Sequence, residues 1–113
     1  FRSNRALIEA GVDVLAHPGL LELADAELAA TKGVCLEISG RKGHSFTNGR
    51  VLDMSRRTGA KLVFGSDGHA PGDYPTRTMA ESIAFGAGMK ADEVDTMFAN
   101  AEALFRANAR GRR

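Results

Sequence analysis

The sequence predicts an α/β fold in which parallel strands are flanked by helices. Three short apolar runs of strand length, rich in β-branched residues, alternate with longer amphipathic stretches along the 113 residues. A glycine, which favours the left-handed position just after a helix, stands shortly before each run. Strands that alternate with helices are joined by crossovers and therefore form a parallel sheet.

Each predicted strand is a nearly continuous apolar run. The three runs are residues 12–16, 34–39 and 61–65. Strands that are apolar on both faces are typical of a parallel sheet that is covered on both sides. Because three strands leave two edges with unpaired backbone groups, we expect something outside these strands to cover the edges.

The predicted helices carry apolar residues at helical spacing, with charged residues between them. They are residues 20–32, 48–58, 76–87 and 91–108. The first is marked by four leucines with interleaved acids, and the second by apolar residues set against three arginines. We expect the last helix to break near Asn100.

The composition excludes several classes of protein. A net charge of +1 argues against binding to nucleic acid or to a membrane surface through bulk charge. The single cysteine, Cys35, excludes an intramolecular disulfide and a cysteine zinc cage, and its apolar neighbours predict a core thiol. No apolar run approaches the ~18 residues of a membrane helix, and we expect a cytoplasmic protein.

All three histidines of the chain follow the ends of predicted strands. His17 follows the first strand, His44 the second, and Asp67 and His69 the third. Ligands bind at the carboxyl ends of parallel strands, and imidazole and carboxylate suit zinc, manganese or iron. The sequence therefore predicts that His17, Asp67 and His69 are metal ligands. The alternatives are a buried His17 bonded to backbone, and an Asp67 that caps a local turn beside an exposed His69.

The loop after the second predicted strand points to an anion. Arg41 and Lys42 supply positive charge, Thr47 or Asn48 can cap the next helix, and the free amides of its first turn attract anions. We expect Arg41 and Lys42 to attract a phosphate or another anionic group, and His44 to face the substrate as an acid/base or to serve as a ligand. The alternative is that both cations are solvated and the histidine is exposed.

Glu37 lies inside the second apolar run, where an unpaired carboxylate would be costly. We expect it to pair with a metal, with another cation, or with arginine or lysine. The sequence leaves the choice among these partners open.

Four segments together resemble the PHP superfamily, named for polymerase and histidinol phosphatase. The resemblance spans essentially the whole chain but only the C-terminal part of such a domain. It implies the C-terminal part of a distorted (β/α)7 TIM-like barrel, incomplete as a barrel by itself. The segments are Ala16-His17-Pro18-Gly19, Leu36-Glu37-Ile38-Ser39, Lys42-Gly43-His44-Ser45-x-Thr47-Asn48-Gly49 and Gly65-Ser66-Asp67-Gly68-His69.

The same resemblance implies a cluster of up to three divalent metal ions (Zn, Mn or Fe) that hydrolyses a small phosphate ester, as histidinol phosphatases do. His17, Asp67 and His69 would each bind one of the three ions. Arg41, Lys42 and His44 would contact the phosphate or another part of the substrate, and the catalytic residue stays open. One protein ligand per ion is too few to hold a zinc-type metal.

We therefore expect residues 1–113 to be the C-terminal half of a single PHP-type domain, inactive alone. The N-terminal half of the domain, or a second copy of the chain, would complete the site. The alternative function is a non-catalytic scaffold that self-associates or is completed by a partner.

Overall fold

The architecture is given by a computed structural model, which describes residues 3–40, 44–65 and 76–111. Three strands in the order β1-β2-β3 pair in parallel, with Leu15 opposite Leu36 and Leu36 opposite Leu62. Helices precede, separate and follow these strands. The elements are α1 (Asn4–Glu9), β1 (Val14–Leu15), α2 (Leu23–Lys32), β2 (Cys35–Ser39), a 3-10 turn (His44–Thr47), α3 (Asn48–Thr58), β3 (Leu62–Gly65), α4 (Arg77–Gly86) and α5 (Ala91–Gly111).

Local signals account for the helix ends. Ser3 caps α1 by accepting from Ala6 N at 3.2 Å, and Thr76 caps α4 in the same way. Gly33 and Gly59 end α2 and α3 with φ of 75° and 82°, a region that other residues enter at a cost. These two glycines fulfil the role predicted for them.

The apolar core lies on one face of the sheet. Leu15, Leu36 and Ile38 are fully buried there, and Leu62 is nearly so. Side chains from α2, α3, α4 and α5 complete this cluster. Burying a large aliphatic side chain stabilises a fold by ~1.5–3 kcal/mol, so this face supplies most of the driving force for folding.

The opposite face, which we call the second face, carries Cys35, Glu37 and Val63, as the strand register requires. The second half of α5 lies over it. A cleft of about 320 Å³ is lined by Glu37 and Val63 on the sheet and by Leu104 and Phe105 on the helix. The second face is therefore covered by a helix.

Helix α5 also covers the free edge of β3. Lys61 O accepts from Leu36 N at 2.8 Å, so the next carbonyl, Leu62 O, points away from β2. That carbonyl accepts a hydrogen bond from Asn100 Nδ2 at 2.9 Å. The helix is continuous through Asn100, and the break predicted there is wrong.

The predicted C-terminal part of a (β/α)7 barrel is wrong. Barrel strands have a strand neighbour on each side, and their inner face looks into an interior filled by strand side chains. Here α5 lies along the edge of β3, where a neighbouring barrel strand would be, and over the second face, where the barrel interior would be. On the other side the sheet ends with β1, which is two residues long. The described residues thus form an open three-stranded sheet.

A search of these residues for a membrane-spanning helix finds no helix with the length and apolar character that crossing a bilayer requires.

Arg56 ties the end of α3 to the start of α5. Its Nη2 donates to Glu93 Oε1 at 2.7 Å and to Gly88 O at 2.9 Å, while its Nε donates to Glu93 Oε2 at 2.9 Å. Glu93 Oε1 also accepts from Lys90 N at 2.8 Å. Charge-assisted, bidentate pairs of this kind are stronger than neutral hydrogen bonds, so this pair helps to hold the start of α5 against the end of α3.

Acidification is expected to weaken this junction. The hydrogen bonds from Arg56 and Lys90 lower the pKa of Glu93 from 4.5 to about 2. A carboxyl whose folded-state pKa is depressed contributes stability above its unfolded pKa, and that contribution is lost as the pH falls from 4.5 toward about 2. Urea unfolding should show Glu93→Gln less stable than the wild type near neutral pH, with the difference shrinking over that acid range. Glu102→Gln, at an exposed carboxylate of α5, is the control. A difference in unfolding free energy between wild type and Glu93→Gln that stays constant as the pH falls would contradict the lowered pKa of Glu93.

Candidate functional site

The carboxyl ends of the three strands meet at one edge of the sheet because the strands are parallel. β1 ends at Leu15, β2 at Ser39 and β3 at Gly65. His17 follows β1 by two residues, and Glu37 is the middle residue of β2. We call the region around these two side chains the carboxyl edge.

Glu37 contacts His17 twice. Its Oε1 accepts a hydrogen bond from His17 N at 3.0 Å and lies 3.1 Å from His17 Nδ1. The carboxylate side chain is 9% exposed and the imidazole is 31% exposed, yet the Nδ1 atom itself is buried. The described partner of Glu37 is thus the side chain and backbone amide of a histidine, which the sequence did not indicate.

The backbone of His17 is strained. Its φ is 51°, the left-handed region, which is unusual for a residue that is not glycine and more so before proline. Such a conformation costs ~1–3 kcal/mol and persists only where surrounding contacts fix it. Here Glu37 binds the amide of His17, and Asn4 Nδ2 donates to Pro18 O at 2.9 Å. Strain held by specific contacts is typical of functional sites.

Gly65 makes room for the carboxylate. A Cβ built on Gly65 would collide with Glu37 Oε2 and would lie 2.7 Å from its Cδ. The Glu37 carboxyl group therefore lies against the backbone at the end of β3 as well as against the turn after β1. From the central strand it links the ends of both neighbours.

An open cleft of about 600 Å³ adjoins the imidazole. Its walls come from the start of α1, the turn after β1 and the start of α2. The cleft is large enough for a small ligand. Its lining residues are Ser3, Asn4, Leu7, Ala16, His17, Pro18, Gly19, Leu20, Glu22 and Asp25.

The other predicted site residues fall mostly in undescribed segments. Asp67, His69, Arg41 and Lys42 lie outside the described residues, and His44 begins the 3-10 turn without a described side chain. Within residues 3–40, 44–65 and 76–111, no group of three or more histidine, cysteine, aspartate or glutamate side chains is placed to hold a metal ion.

Asn48 has a role that the sequence did not indicate. Its Oδ1 accepts from Ser39 N and its Nδ2 donates to Ser39 O, both at 2.9 Å. The N-cap position of α3 belongs to Thr47, so the alternative that Asn48 caps this helix is wrong. Beyond the end of β1, the Asn48 side chain makes the two hydrogen bonds to β2 that a neighbouring strand would make.

Cys35 does not belong to the carboxyl edge. It is the first residue of β2 and is 7% exposed. Burial raises the pKa of its thiol above the ordinary value of 9.0. A raised pKa disfavours the thiolate that a nucleophile or a metal ligand requires, and the prediction of a buried thiol is confirmed.

Comparison with known proteins supplies one relative. A protein of Methanocaldococcus jannaschii, described as uncharacterized, is 37% identical over 90 residues, which are 80% of this chain and 41% of that protein. The chain thus spans less than half the length of this relative. No protein-family model and no solved structure matches the sequence.

Proposed function

We propose that the chain takes part in the metal-assisted hydrolysis of a small phosphate ester, in the manner of PHP-type phosphatases. The observation that carries the proposal is the position of His17 at the carboxyl edge, held by a buried carboxylate. β3 ends at this edge with Gly65, and Asp67 and His69 follow it by two and four positions.

The donor types fit zinc, manganese or iron. The described residues contribute one imidazole and one carboxylate at the carboxyl edge, and these metals accept both. A tightly held zinc-type ion takes three or four protein ligands. The ion at His17 therefore needs ligands beyond this chain's single imidazole, and in this proposal Asp67 and His69 bind two further ions of the same cluster.

Each side chain has a distinct part in the proposed reaction. A bound ion supplies a water whose pKa falls to ~7 and a positive charge for the phosphoryl oxygens. His17, Asp67 and His69 each hold one ion of the proposed cluster. The cleft beside His17 takes the alcohol portion of the ester and limits its contact with water.

Arg41, Lys42 and His44 orient the phosphate in this proposal. Arginine and lysine bind phosphate oxygens through charge-assisted hydrogen bonds. A second copy of the chain supplies the remaining metal ligands in this proposal. The proposal includes a cytoplasmic location, with which the free thiol of Cys35 is consistent.

Hydrolysis of p-nitrophenyl phosphate and histidinol phosphate by the full chain tests this function. The assay is run with added Mn²⁺ or Zn²⁺ at a series of protein concentrations. We expect a metal-dependent rate, and the rate per chain should rise with protein concentration as copies associate. The double variant Asp67→Ala/His69→Ala should lower this rate at least ~10-fold, since it removes two ligands. Glu27→Gln, at an exposed position of α2, should leave the rate unchanged. No metal-dependent hydrolysis at any protein concentration would contradict the proposal and favour the non-catalytic scaffold.

A further inference from the structure

We infer that Glu37 is a positioning residue, whose carboxylate holds the His17 imidazole in the tautomer with its proton on Nδ1 and leaves Nε2 as the atom that contacts a ligand. The identity of that ligand rests on the proposed function. The tautomer itself rests only on the geometry of the carboxyl edge.

The contact between the two side chains selects the tautomer. Glu37 Oε1 lies 3.1 Å from His17 Nδ1. An ionised carboxylate offers only acceptors, whereas a neutral imidazole carries its proton on one nitrogen or the other. A proton on Nδ1 is attracted to the negative oxygen of the carboxylate at this distance. A proton on Nε2 would instead set the Nδ1 lone pair against a negative oxygen.

Burial of His17 Nδ1 and of the Glu37 carboxylate strengthens the preference for the tautomer with the proton on Nδ1. The Nδ1 atom is buried, and the Glu37 side chain is 9% exposed. Water therefore cannot readily replace either group as the partner of the other, and electrostatic preferences grow where water is excluded. Because the ring as a whole is 31% exposed, its accessible part lies away from Nδ1.

The surrounding backbone fixes the carboxylate itself. The hydrogen bond from His17 N to Glu37 Oε1 anchors one oxygen at 3.0 Å. The absence of a side chain at Gly65 accommodates the other oxygen. Glu37 is thus anchored by a hydrogen bond at Oε1, and its Oε2 lies close against the backbone of Gly65. Metal-binding histidines commonly donate their second ring N–H to a carboxylate, which orients the ring and raises its basicity as a ligand.

Nitrogen NMR of the imidazole rings tests the inference without any metal. Spectra of uniformly ¹⁵N-labelled chain at pH 8.5, where an ordinary imidazole is neutral, report which ring nitrogen carries the proton. The resonances of His17 are assigned by their loss in His17→Gln. The wild type should show a protonated Nδ1 and an unprotonated Nε2. A wild-type spectrum with the proton on Nε2 would overturn the inference whatever the variants do.

Two variants distinguish the effect of the Glu37 carboxylate from the effect of a nearby negative charge. Glu37→Gln replaces an acceptor-only group by an amide that can also donate, and we expect the Nε2–H form of His17 to become substantially populated. Glu22→Gln removes the same charge from the cleft beside His17 and should leave the tautomer unchanged. An unchanged tautomer in a folded Glu37→Gln chain would contradict the positioning role. If Zn²⁺ fails to bind while the wild type shows the Nδ1–H form, the proposed function fails and the inference stands.

Discussion

Replacement of Asn48 by alanine is expected to lower the free energy of unfolding by about 2–6 kcal/mol. The side chain of Asn48 is nearly inaccessible, at 4% exposure, and makes two hydrogen bonds of 2.9 Å to the backbone of Ser39. Ser39 is also buried, at 2% exposure. Each buried donor or acceptor that loses its partner costs ~1–3 kcal/mol, and this change affects two such groups.

The topology explains why Ser39 depends on a side chain. β1 pairs with β2 only through Val14 and Leu15, so β2 continues beyond the end of its neighbour. The backbone N–H and C=O of Ser39 would otherwise face a gap in the sheet. Asn48 fills that gap because its amide offers one acceptor and one donor, as a neighbouring strand does.

Thermal and urea unfolding of Asn48→Ala measure this effect. Asn108→Ala is the matched control, since Asn108 lies on an exposed position of α5 and should change stability by less than ~0.5 kcal/mol. A loss below ~1 kcal/mol in Asn48→Ala would mean that water satisfies Ser39 and that Asn48 does not stand in for a strand.

Replacement of Gly65 by alanine is expected to disrupt the carboxyl edge. The added Cβ would meet the carboxyl group of Glu37, whose Cδ would lie only 2.7 Å away. Overpacking of this kind costs ~1–3 kcal/mol, and relief requires the carboxylate to move away from His17. On the proposed function, metal affinity should then fall by ~10–100-fold, as for other residues that orient a metal ligand.

The amide resonance of His17 reports this displacement directly, because Glu37 Oε1 accepts its proton. We expect a large shift of this resonance in Gly65→Ala, together with reduced stability. Gly86→Ala is the matched control, since a Cβ there would meet nothing within 4 Å. An unshifted His17 amide in Gly65→Ala would show that the carboxylate does not depend on the glycine.

Local patterns predicted most of the elements. Helix α3 begins and ends where the amphipathic pattern and the following glycine placed it, at Asn48 and Thr58. β1 ends one residue before its apolar run does because the chain turns at His17 and Pro18. These features depend on residues close together in the sequence, which is why the sequence alone indicates them.

Long-range contacts explain the failures. Asn100 has low helix propensity, which predicted a break, but its bond to Leu62 O helps to keep α5 continuous along the edge of β3. The barrel was inferred from motifs at strand ends, and such motifs do not specify what covers the second face. Likewise, the pairing of Glu37 with His17 depends on which strands are neighbours and in what register.

Binding of Zn²⁺ to the full chain tests the central claim most directly, that the carboxyl edge carries a metal site. Competition with a chromophoric chelator measures the affinity, and elemental analysis after dialysis measures the metal retained. We predict near-stoichiometric metal in the wild type. In His17→Ala and in Asp67→Ala/His69→Ala, which remove ligands, affinity should fall by more than the ~10–100-fold that loss of an orienting residue costs. Glu27→Gln should bind as the wild type does. Equal affinities in all four proteins, or no retained metal in the wild type, would contradict the claim.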